Sequence, residues 1–138
     1  MTTHYIPEPV KQEPSEALRN AVPRGAPRYD VRVAGVSFVE GYPHNLLESY
    51  PDFPDAAVVL VPDPFNKYDP NAIGVWVRPD SGDESYRIGY IPRDVAEMMT
   101  EAMEMGAVFR VSQATVMVSP DAPEHPGVEL VIKKTTVY

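Results

Sequence analysis

From Tyr29 onward, apolar and polar positions alternate with the two-residue period of half-buried strands. Tyr29, Val31, Val33, Gly35 and Ser37 fall on one side, and Asp30, Arg32, Ala34, Val36 and Phe38 on the other, which predicts one long opening strand. The turn-rich stretch 41–54 follows, with a helical turn expected at Leu46–Tyr50. Ala56–Val61 predicts a second strand ended by Pro62. A loop dense in Asp, Asn and Pro, Asp63–Asn71, leads to a third strand, Ala72–Arg78, with Ile73, Val75 and Val77 on one face and Trp76 on the other. A hairpin turn at Asp80–Asp83 then opens a fourth strand, Ser85–Ile91.

At Pro92 the period changes. Proline fits the first helical position, because its fixed φ and missing N–H cost nothing there. Val95, Met98, Met99, Ala102 and Met105 recur at helical spacing, so a helix is expected from Pro92 to about Met105, with Gly106 ending it. Val108–Val118 and Val128–Val137 predict two closing strands around a proline-rich turn, Ser119–Gly127. The reading is mainly β: a small six-stranded, OB-like barrel with one α-helix after the fourth strand. Residues 1–27 hold five prolines and sustain no alternation, offering only a short helix at Ser15–Ala21. The expected organisation is therefore a flexible Pro-rich tail, 1–27, and one folded domain, 28–138.

Composition narrows the chemistry. The 138 residues suit one domain with a real core. The chain has no cysteine, which removes disulfides and thiolate metal sites. His4, His44 and His125 are too scattered for a metal centre, and no cofactor is implied. No phosphate-cradling glycine loop, nucleophile elbow or paired-carboxylate motif occurs, so a binding role is expected rather than an enzyme. No apolar run approaches the ~18 residues that span a bilayer, and Met1–Lys11 lacks the pattern of a secretory signal. A cytoplasmic protein without membrane contact is the expectation.

Three segments, in order, resemble the HIRAN domain family. They are Val33–Phe38 (VAGVSF), Val59–Val75 (VLVPDPFNKYDPNAIGV) and Ile88–Ala96 (IGYIPRDVA). The resemblance implies an OB-like β module, found within SNF2-type DNA remodelling ATPases and also alone in bacteria and phages. It further implies binding of single-stranded DNA at its 3′-hydroxyl end. Carried onto this chain, Phe38 and Tyr68 would stack on bases, Asp69 would accept from the 3′-hydroxyl, and Arg93 would meet phosphate at the helix start. Two positions depart from the DNA-gripping version: Ser37 stands where it has arginine, and Tyr90 where it has histidine.

Each of these residues also has a reading without a ligand. Asp69 and Asn71 can shape their loop by bonding back to the backbone, Tyr68 can cover the barrel end, Phe38 can be core, and Arg93 can be a solvated helix start. Of the paired cations Lys133 and Lys134, adjacent on a strand, only one can line a shared groove. The charge adds a competing function class. The net charge is −8, and beyond residue 30 there are 16 acids against 8 bases. DNA binders normally carry an excess of cations. An acidic module that docks on a basic protein partner, without binding DNA, is the alternative.

Overall fold

The opening strand ends earlier than its alternation predicts. In the computed structural model, which describes residues 28–53, 56–79 and 82–136, β1 spans Arg28–Arg32, with Tyr29 and Val31 buried between exposed neighbours. Gly35 takes a left-handed conformation (φ 72°), which a strand cannot continue through, and Val36–Phe38 turn as a short 3₁₀ helix. A one-turn helix, α1 (His44–Leu47), then buries Leu46. β2 (Ala56–Pro62), β3 (Ile73–Pro79) and β4 (Tyr86–Tyr90) form an antiparallel sheet. α2 (Arg93–Glu104) follows β4, with Pro92 as the residue preceding its first turn rather than within it. β5 (Ala107–Ser119) and β6 (Ala122–Thr136) form a long hairpin whose other side pairs with β1, in the order β1-β6-β5.

The expected barrel is not closed. Six strands are present, but they form two separate three-stranded sheets. One isolated bridge, Ala34 to Tyr90, joins the segment after β1 to β4, a second, Asp52 to Thr115, joins the stretch before β2 to β5, and neither extends into a ladder. The final strand also begins earlier than expected, because β5 turns back through Pro120 and Asp121. Opposite Pro123–Pro126 the hairpin slips out of register between Met117 and Ser119. Proline has no N–H to give a ladder, and the shorter strand β1 pairs only with Glu129–Lys133, beyond this stretch.

The core lies between the sheets. Ile73, Val75, Val77 and Ile88 from one meet Val128, Leu130, Ile132 and Val116 from the other. The helix seals this core with Ala96 and Met99, and Val95, Met98, Ala102 and Met103 pack at its margin. Met105, expected in that stripe, is instead 83% exposed. The helix has ended there, and Gly106 (φ 99°) redirects the chain into β5.

One glycine governs how the sheets meet. A Cβ on Gly89 would come within 2.5 Å of Val33 Cγ1 and 2.6 Å of the Ala34 carbonyl oxygen. The missing side chain lets Ala34 and Tyr90 exchange backbone hydrogen bonds, N–H to carbonyl, at 2.7 and 2.9 Å. Gly89→Ala is expected to lose at least about 2 kcal/mol in urea unfolding, since the clash includes backbone that cannot rotate away. Gly35→Ala meets no neighbour, and is expected to lose only the roughly 1–2 kcal/mol of a left-handed alanine.

Candidate functional site

The loop between β2 and β3 is built by its own polar side chains. Asn66 Oδ1 accepts from the N–H groups of Tyr68 (2.9 Å) and Asp69 (3.1 Å), while its Nδ2 donates to Asp63 Oδ2 (3.1 Å). Asp69 Oδ1 accepts from the Asn71 N–H at 2.9 Å, and the Ala72 N–H donates to the Asp69 carbonyl. These turns satisfy the backbone locally, so no side chain of the loop has to enter the core. Phe65 and Tyr68 stand outside it, 94% and 77% exposed, with Lys67 Nζ 5.4 Å from the Tyr68 ring centroid.

Asp69 also faces the start of α2. Its Oδ2 lies 3.8 Å from Arg93 Nε; the Asp69 side chain is 16% exposed and that of Arg93 77%. The separation is an ion pair rather than a hydrogen bond, so Oδ2 keeps its lone pairs available. A half-exposed pair of this kind contributes at most about 1 kcal/mol to stability. Its chemistry is more informative: a carboxylate that can accept from a hydroxyl sits beside a guanidinium that can hold a phosphate.

Three residues before Arg93, Tyr90 is bridged to Ala34, and the 3₁₀ turn carrying Ser37 and Phe38 follows that bridge. Phe38, which the strand pattern allowed as core, is 91% exposed, and Ser37 is exposed beside it. The Ala34–Tyr90 bridge thus brings the segment that carries Ser37 and Phe38 to the end of β4, and the Asp69–Arg93 pair brings the loop that carries Tyr68 and Asn71 to the start of α2. Lys133 and Lys134 are not among these residues. Lys133 pairs with Arg28, at the opposite end of β1 from Ala34, roughly 20 Å along the strand at ~3.3 Å per residue. Burial lowers the Lys134 pKa, a property of its place beside Phe109 in the hairpin.

The sequence did not single out Phe65 or Arg87. Phe65 carries a signal in retrospect: an aromatic between Pro64 and Asn66 in a polar loop has no strand neighbour to cover it. Arg87 lies over the Tyr90 ring, 4.8 Å from its centroid. A groove of about 560 Å³ lies elsewhere, between β2 and β5, lined by Asp52, Phe53, Arg78 and Arg110 among others. It contains none of the candidate binding residues. Among the described residues no cluster of potential metal ligands occurs, and no helix is long and apolar enough to cross a membrane.

The model of the HIRAN domain family matches residues 28–135, from the first residue of β1 nearly to the end of β6. No curated protein and no solved structure matches the chain.

Because Asn66 makes three of the bonds that shape the loop, Asn66→Ala is expected to cost about 1–3 kcal/mol. Amide hydrogen exchange should localise the effect, with Tyr68 and Asp69 exchanging at least ~10-fold faster while the β3 core amides change less.

Proposed function

Because the chain belongs to the HIRAN domain family, a family of DNA-binding modules, we propose that it is a non-enzymatic module that binds single-stranded DNA at a free 3′-hydroxyl end. The observation that carries this reading is the pairing of Asp69 with Arg93 beside exposed aromatics. Phe38 and Tyr68 offer faces on which bases stack irrespective of sequence, at about 1–3 kcal/mol per base. Asp69 accepts a hydrogen bond from the terminal hydroxyl and repels a terminal phosphate. Arg93, at the first turn of α2, adds its charge to the exposed N–H groups there, and together they hold an internal phosphate. Tyr90, in place of the family's histidine, contributes its ring rather than a titratable imidazole.

The acidic remainder of the molecule supports a second reading, docking on a basic protein, since 16 acids against 8 bases beyond residue 30 repel DNA at long range. The two readings part in a titration of short oligonucleotides at low salt. The DNA-end reading expects a 3′-hydroxyl strand to bind more tightly than the same strand with a 3′-phosphate. Tyr68→Ala is expected to weaken it roughly 5- to 150-fold, and Asp69→Asn to bring the two ends to nearly equal affinity. Equal wild-type affinity for both ends, with a steep salt dependence, would remove end recognition. Absence of binding to either would leave the protein-docking reading.

A further inference from the structure

In a regular strand Arg87 and Tyr90, three residues apart, would point to opposite faces. β4 is not regular: Val75 opposes Gly89 while Trp76 opposes Arg87, so Ile88 is an extra residue in the strand. Such a bulge resets the alternation and brings Arg87 and Tyr90 to one side. There the guanidinium rests over the tyrosine ring at 4.8 Å.

The opposite flank is equally confined. Gly74 is the register partner of Tyr90, and a Cβ on it would lie 2.8 Å from Trp76 Nε1 and 3.5 Å from Arg87 Cδ. The bare backbone of Gly74 therefore admits both the Trp76 indole and the Arg87 stem. Arg87 Nε is buried without a hydrogen-bond partner. No ion pair with a carboxylate of the described residues neutralises this guanidinium, whereas Arg28 and Arg93 both have one. An arginine whose face is stacked on an aromatic keeps its in-plane terminal N–H groups for two oxygens of a phosphate or carboxylate. The stack also limits the side-chain freedom lost on binding.

We propose that Arg87 is a phosphate-binding residue of this site, held by Tyr90 and aimed at a backbone phosphate of bound single-stranded DNA. This rests on the DNA-binding reading of the site and adds a second cation to Arg93. It assigns Tyr90 a positioning role: its ring fixes the guanidinium.

Fluorescence anisotropy with a 3′-hydroxyl oligonucleotide, repeated at several salt concentrations, tests this on the full chain, wild type against Arg87→Gln and Arg87→Lys. Arg87→Gln is expected to weaken binding at low salt and to flatten the plot of log affinity against log salt by about 0.7, the value of one phosphate contact on a single strand. Arg87→Lys should keep the wild-type slope while losing affinity, because the charge remains and the planar fork does not. Melting temperatures of all three proteins accompany the titration. If Arg87→Gln binds with the wild-type slope, whether or not its affinity falls with its melting temperature, Arg87 is structural and the proposal is overturned while DNA binding stands. If the wild type binds no oligonucleotide, both fail together.

Discussion

β4 passes so close to the end of the first strand that only a residue without a side chain fits between them. Gly89 meets Val33 and the Ala34 carbonyl at distances that leave no room for a methyl group, and this contact fixes much of the architecture around it. It allows the Ala34–Tyr90 bridge, which joins the segment after β1 to β4. It lies at the bulge that turns Arg87 and Tyr90 to the same side. β4 ends one residue later, at Tyr90, and Pro92 precedes the helix that carries Arg93. The candidate site is thus assembled around a close approach of two backbones, with the Asn66-centred loop meeting it through the Asp69–Arg93 pair.

The electrostatics of this end differ from those of the whole chain. Lys67, Arg87 and Arg93 are three of the eight bases beyond residue 30, and each is tied to a neighbour within the site: the Tyr68 ring, the Tyr90 ring or Asp69. At ordinary ionic strength exposed charges act over about 8–10 Å. Asp63, Asp69 and Asp94 lie among these three bases, so this end is charge-balanced where the whole chain is acidic, and a bound phosphate would feel that local balance more than the distant carboxylates. Overall acidity and local anion binding are therefore compatible on one molecule.

Much of the fold was legible because strand alternation and the helical period are local properties. The second to fifth strands and the helix after the fourth lie close to where residue pattern puts them, while the first strand ends and the last begins earlier. What failed depends on non-local geometry or on single backbone angles. Whether six strands close into a barrel is decided by the stagger between them, which no strand's own sequence encodes. Alternation carries the opening strand through Gly35, because it says nothing about a left-handed φ, and the 3₁₀ turn that follows exposes Phe38. The residues of the Tyr68–Asp69 loop were identified through family resemblance, and Asp69 does bond back to its own loop as its residue type suggests. The Asp69–Arg93 contact joins residues 24 positions apart, and the place of Arg87 on the face of Tyr90 depends on a bulge that strand alternation does not encode.

The prolines that disturb the last hairpin bear on how this molecule meets others. Beyond the reach of β1, the side of β6 that β1 leaves uncovered would ordinarily offer a row of backbone donors on which a foreign strand could nucleate. Pro126, two residues before the Val128 carbonyl that meets Val33 and so on the same side of the strand, deletes a donor from that row, and its carbonyl accepts from the Tyr42 hydroxyl at 2.8 Å. A strand arriving there finds neither a regular rail of N–H groups nor a free carbonyl at position 126. Growth of the sheet from one copy into the next is thus disfavoured along this margin by covalent structure, independently of salt, pH or charge.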